Sequence, residues 1–309
     1  MVSRSNKVKD FDCINEESNR IRPTKKKNVF SMTENITDYE LVIRPKYGFL
    51  DINWQELKEY RELLFFLALR ELKIRYKQTI MGASWALLQP FFTMIVFTLI
   101  FGRLAKMPSE GIPYPIFSYS GLLLWTYFSN ALSQSSNSLV TNANLLSKVY
   151  MPRIFIPTAP CLAGIVDYTI ALSILALMML YYRFVPNITI VLLPVIVLMT
   201  FLLASGIGYW LSSICVKYRD VIFVLPFFIQ LLMFLSPVIY PANIAGKNLQ
   251  FLLYLNPLTG IINAHRACIL GYTSVDFVGL GISAVLTIVI FVSGILYLKH
   301  TEKYFADLV

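Results

Sequence analysis

Few side chains in this sequence are equipped for covalent or acid–base chemistry. His265 and His300 are its two histidines, and neither stands in a recognisable spacing from a carboxylate or cysteine. Cys13, Cys161, Cys215 and Cys268 are scattered, which builds neither a metal site nor a disulfide framework. No GxxxxGK[ST] phosphate loop occurs, so nucleotide-driven work would fall to another polypeptide. Asp167 is the one carboxylate inside a long apolar run. An ionisable group there is costly and faces a bundle interior or water. Two roles fit it: a structural partner for polar groups on a neighbouring helix, or a contact for substrate or a proton. The run VKYRDV at 216–221 places Lys217, Tyr218, Arg219 and Asp220 between two apolar stretches with almost no room. Its cations serve as topology anchors, and Asp220 is expected to cap the next helix. A short charged element projecting from a membrane bundle also suits docking to a cytosolic motor.

The elements that must position these residues are membrane helices. Hydrophobic residues make up 56% of the chain and charged ones 15%, against about 25% charged in a soluble domain; mean hydropathy is +0.61. The net charge of +9 lies in the N-terminal tail and at the ends of apolar runs, a membrane pattern that argues against nucleic acid. Residues 1–40 are polar and aperiodic, with Lys25, Lys26 and Lys27 in a row, and read as a disordered cytoplasmic tail. Residues 41–84 read as a cytoplasmic segment leading into an amphipathic interfacial helix. There RELKIRYK at 70–77 offers Arg70, Lys73, Arg75 and Lys77 to anionic lipid.

The region 85–309 reads as an all-α polytopic domain with six spans, roughly 86–105, 116–136, 154–182, 188–216, 221–240 and 276–298. The cations beside those spans favour cytoplasmic N- and C-termini. The first apolar run begins near residue 63, too late for a cleavable signal peptide. The Ser/Asn-rich connection 129–153 reads either as a solvated helical extension or as a polar gate. In the connection 237–275, Pro237, Pro241 and Pro257 separate apolar pieces. Fourteen residues reach only ~21 Å, so re-entrant half-helices are expected between spans five and six; the alternative is a lid lying flat. Aromatics are 14% of the chain, and most belong to lipid-facing or interfacial positions. Tyr119, Trp125, Tyr127, Asp167, Tyr168 and Trp210 are the candidate lining of a polymer pathway, since aromatic faces pack on pyranose rings.

Several motifs, in order, resemble the permeases of ABC-2 type polysaccharide exporters, the O-antigen branch above all. They are RYKQT at 75–79, GASWALLQP at 82–90, GIPYPIF at 111–117, GLLLWTYF at 121–128 and NANLLSKVYMPR at 142–153. KYRDV at 217–221, LSPVIYP at 235–241, LNPLTG at 255–260 and FADLV at 305–309 complete the set. The resemblance covers about residues 41–309; Met81 departs from the family's usual Leu. It implies a homodimeric channel in the bacterial inner membrane that extrudes lipid-linked polysaccharide. Two copies of a separate cytosolic ATPase would supply the power, with ATP and Mg on that partner and no cofactor on this chain. By the same resemblance 59–77 is the interfacial helix and Asn144, Lys148, Tyr150 and Arg153 belong to a cytoplasmic gate. Lys217–Asp220 would couple to the ATPase, and 243–271 would form outer gate helices. Capsule and teichoic-acid exporters share this plan. A membrane-embedded transferase, with His265 and Arg266 as its only hint, and a scaffold protein are the readings from other classes.

Overall fold

The computed structural model describes residues 58–77, 84–148, 151–186, 188–242, 253–272 and 274–308, all within the unit Tyr47–Val309. The expected tail and the segment 41–57 lie outside the described residues. Among those described, the chain is all helix and connecting turns. The elements are α1 (Arg61–Lys77), α2 (Ser84–Phe97, prolonged by a π-helical stretch Thr98–Leu104), α3 (Tyr114–Thr141), α4 (Ala143–Leu146) and α5 (Phe155–Tyr182). A 3₁₀ turn, Ile188–Leu192, leads into α6 (Leu193–Lys217), followed by α7 (Val221–Leu235), α8 (Pro257–Leu270) and α9 (Phe277–Leu308).

Four helical stretches are long and apolar enough to cross a bilayer: Leu87–Leu104, Phe155–Tyr182, Ile188–Lys217 and Phe277–Glu302. The six-span expectation is therefore met at four places by length and composition. α7 has 15 residues, about 22 Å of helix. α3 has 28 residues, ample length, but its serines and tyrosines lower its apolarity. Its position explains that composition. Leu122, Leu123 and Leu124 are consecutive and all at most 2% exposed, so α3 is covered on every side. It packs between α5 and α6 and also touches α2 and α8. A helix that meets protein all round has no need of a lipid-compatible surface.

The buried serines of α3 turn their hydroxyls back to its own carbonyls. Ser118, Ser120, Ser136 and Ser138 donate to Pro115, Phe117, Leu132 and Ser135, while Ser135 donates across to the Pro157 carbonyl of α5 at 2.8 Å. The stretch read as a solvated extension or a polar gate thus continues the central helix up to Thr141, with Ala131, Leu132, Ser135, Ser136, Ser138 and Leu139 buried and Ser133 and Thr141 exposed. Small residues let the backbones close up. At the α6–α9 crossing, a Cβ on Gly206 would lie 2.7 Å from the Phe291 Cα, so Gly206 and Gly294 sit backbone to backbone.

α8 wedges among α3, α6 and α9, with almost every residue buried. Asn256 caps its start, the side chain accepting from the Leu258 N–H at 3.1 Å. Pro257 occupies the first helical position, and Gly271 ends the helix at φ +64°, a conformation glycine adopts without strain. A helix so enclosed is not a lid on a surface. The other expected half-helix, from Asn248, falls mostly outside the described residues.

Candidate functional site

The end of the bundle that carries α1 gathers most of the charged residues singled out in the sequence. Leu67 of α1 sits in a cluster with Leu139, Met151, Phe155, Ile156, Ala159, Tyr209 and Leu298, against which Leu63 and Leu64 also pack. Further along α1, Arg70 donates to Asn142 and pairs with Glu71 at 3.1 Å. Arg75 then donates to both Asp167 and Gln134, and the Tyr76 hydroxyl donates to Asp167. The register fixes direction: from Leu67 to Arg75, partners on α5 advance from Phe155 to Asp167, while from Arg70 to Arg75 those along α3 retreat from its C-cap Asn142 to Gln134. α1 therefore runs parallel to α5 and antiparallel to α3.

That arrangement corrects the expectation that the α1 cations all face lipid. Arg70 and Arg75 turn inward to side-chain amides and a carboxylate, whereas Lys73 and Lys77 are exposed, as are Phe65, Phe66 and Ile74. Asp167 is answered in the same stroke. Its two oxygens are engaged by α1, so it is the structural partner of a neighbouring helix. Burial and the bond to Asp167 hold the Tyr76 phenol well above its ordinary range. The sequence marked Arg75 and Asp167 but did not single out Gln134 and Asn142, which sit among many polar residues in the Ser/Asn-rich stretch 129–153 with nothing local to distinguish them.

The remaining charged residues divide by exposure. Lys217, Tyr218, Arg219 and Asp220 are all exposed in the tight α6–α7 link, and the Lys217 ammonium lies 5.2 Å from the Tyr218 ring centre. Asp220 occupies the cap position of α7, but its side chain makes no capping bond, contrary to expectation; its own backbone is already helical, at φ −65°, ψ −25°, where a cap residue is normally extended. Asn144 and Lys148 are exposed on and after α4, and Tyr150 lies outside the described residues. Arg153 is partly buried and ties the start of α5 to the end of α9, donating to the Glu302 carbonyl and standing 3.6 Å from its carboxylate.

The aromatic candidates mostly face into the helical bundle. Tyr119, Trp125, Tyr127 and Tyr168 are each at most 5% exposed. Their hydroxyls are spent within the bundle: Tyr119 on the Ala171 carbonyl at 3.0 Å, Tyr127 on the Cys161 carbonyl at 3.3 Å, and Tyr168 on Nε2 of His265 at 2.8 Å. Trp210 alone of the set is exposed; it stacks on Tyr297 at 4.2 Å and donates to Ser293 at 3.2 Å.

At the opposite end lies a residue to which the sequence gave little weight. Arg266 on α8 is 2% exposed. It donates to the Pro237 carbonyl at 2.7 Å and to that of Val238, and its guanidinium lies 3.9 Å from the Phe117 ring centre. Gly121 of α3 makes room, since a Cβ there would collide with the guanidinium. His265 beside it is fully buried against Tyr168, and among the described residues no hydrogen bond joins it to a carboxylate.

Comparison with known proteins agrees with this helical, membrane-embedded architecture. The family model of the ABC-2 type transporter matches residues 62–270. An O-antigen export system permease protein (RfbA) of Myxococcus xanthus is 31% identical over 69% of this chain and 82% of its own length. One of the same name from Klebsiella pneumoniae is 22% identical over 66% and 79%, and the polysialic acid transport protein KpsM of Escherichia coli is 25% identical over 77% and 92%. The matched region runs from the first residues of α1 to the last of α8, and the chain is a multi-pass membrane protein of the ABC-2 type transporter family.

Proposed function

We propose that this chain is the permease subunit of an ATP-driven exporter that moves lipid-linked polysaccharide of the O-antigen kind across the bacterial inner membrane. The observation that carries the reading is the match to an O-antigen permease across four fifths of that protein's length. Two copies form the channel, and each engages one copy of a separate cytosolic ATPase that holds ATP and Mg. α3 and α7 complete six crossings, with both termini cytoplasmic and α8 re-entrant. The exposed Lys217–Asp220 link supports a docking role, because it projects at the α1 end with its side chains free of capping duty. Asn144, Lys148 and Arg153 flank the same end as the gate. Trp210, on the surface, is the aromatic that meets the polymer, and the buried Tyr119, Trp125, Tyr127 and Tyr168 hold the helices of the bundle together. Deleting the gene in its host tests the reading. Full-length lipid-linked polymer should accumulate on the cytoplasmic face; loss or truncation of the polymer would point to synthesis instead.

A further inference from the structure

α2 and α5 enclose a groove of about 970 Å³ on the flank of the bundle. Phe91, Ile95 and Leu99 of α2 and Ile174, Leu177 and Met178 of α5 are among its apolar walls. Arg103, in the last turn of the π-helical stretch, and Tyr181 and Tyr182, in the last turn of α5, line it too. The polar side chains therefore gather at the end opposite α1. Arg103 is exposed and makes no ion pair among the described residues. Lys106 and Arg183, close by in sequence to Arg103 and Tyr182, are exposed as well. The groove has no carboxylate among its lining residues. Glu110, the acid nearest Arg103 along the chain, lines the separate cavity at Arg266.

Two features aim Arg103 at a ligand in this groove. The first is the change of winding. Thr98–Leu104 is π-helical, with the Ala105 N–H on the Ile100 carbonyl at 2.9 Å. Bonding from i to i+5 brings residues five apart to nearly the same face, so Arg103 stands over Thr98, itself a lining residue. In an α-helix five residues overshoot one turn by about 140°, which would swing the guanidinium off the groove. The second feature is depth. Leu87–Leu104 has 18 residues, at most about 27 Å of helix, close to the ~30 Å of a hydrocarbon core. Leu87 at one edge of that core puts Arg103 at the headgroups of the other leaflet.

The lining selects the occupant. An acyl chain finds apolar wall along both helices, and a phosphate finds a guanidinium fork that can bind two of its oxygens. A zwitterionic headgroup would bring its own ammonium to a cationic rim. An apolar helix of a second copy would bury Arg103 without a partner. We infer that this groove holds one anionic phospholipid, its phosphate on Arg103 and a chain laid between α2 and α5. The site does not depend on what the protein exports.

The test is native mass spectrometry of the delipidated full-length chain, titrated with phosphatidylglycerol, phosphatidylethanolamine or phosphatidylcholine of identical acyl chains. One phosphatidylglycerol per chain should be retained, at least fivefold more tightly than either zwitterionic lipid. Arg103→Gln should weaken that retention about tenfold at an unchanged thermal midpoint. Lys73→Gln, which removes an exposed cation at the α1 end, should leave it as in wild type. Should Arg103→Gln melt early, Leu177→Trp, at a position 64% exposed, fills the groove instead and should weaken binding of phosphatidylglycerol by a similar factor. Equal retention of the three lipids, or equal losses in Arg103→Gln and Lys73→Gln, overturns the site. So does a Leu177→Trp variant that loses self-association while its lipid retention is unchanged, since a second copy would then fill the groove.

Discussion

Removing the carboxylate of Asp167 should release α1 from the bundle while leaving the helical core intact. Asp167 accepts from Arg75 and from Tyr76, and the two charged side chains are 25% and 18% exposed. Breaking a fully buried pair by removing one partner costs about 3–5 kcal/mol, and here Arg75 keeps its bond to Gln134. Partial exposure reduces this, so Asp167→Ala should cost about 2 kcal/mol and Asp167→Asn, which keeps an acceptor, about 1 kcal/mol. Hydrogen–deuterium exchange reads the effect locally. At 1.4 kcal/mol per tenfold, amides of Ala68–Lys77 should exchange about thirtyfold faster in Asp167→Ala, with α6 amides as the unaffected reference. In the double-mutant cycle with Arg75→Gln, coupling should exceed the ~0.5 kcal/mol scatter of independent sites. Equal acceleration in α1 and α6, or additivity in the cycle, would refute the claim that this pair holds α1 in place.

Four further outcomes follow from the geometry. Gly206→Val would drive a side chain into the Phe291 backbone, which cannot swing aside as a side chain can; we expect a loss of about 2–3 kcal/mol, seen as earlier thermal unfolding in detergent. Charge reversal at Arg219 or Asp220 should leave the protein in the membrane and abolish ATP-coupled export, and unchanged export in both variants would remove the docking assignment. Trp125→Ala and Tyr168→Ala should lower protein level and flux together, both being buried, whereas Trp210→Ala should slow flux at a normal level. Burial acts to raise the Asp276 carboxyl, but bonds from the Tyr254 hydroxyl and the Gly279 and Val278 amides outweigh it, and the net position is below the ordinary 3.8. A depressed carboxyl stabilises the fold above that ordinary value, and its contribution is lost as pH falls through the lower folded-state value. Wild type should therefore lose thermal stability between pH 5 and the acid limit more steeply than Asp276→Asn, as melting across that range would show.

The sequence by itself determined the class of this protein. Sustained apolar runs with cations at their ends can only be membrane helices, because hydropathy and length are local properties of consecutive residues. Ordered motifs such as KYRDV and LNPLTG likewise carried the family, and Pro257, legible as a break between apolar pieces, stands at the first position of α8. What hydropathy could not reach was which face of a helix meets protein. α3 fell below the apolarity of a lipid-exposed span because it is enclosed, and only packing shows enclosure. The same limit placed Arg70 and Arg75 on lipid: a cation on an amphipathic helix looks alike whether its partner is a headgroup or a carboxylate 92 residues away. Asp167, Gln134 and Asn142 belong to two other helices, and their meeting with α1 depends on the crossing of α3 and α5. Arg266 followed the same rule, since its place was set by a glycine on α3 and two carbonyls beyond α7. Local chemistry wrote the helices; long-range packing decided which of their polar groups would answer one another.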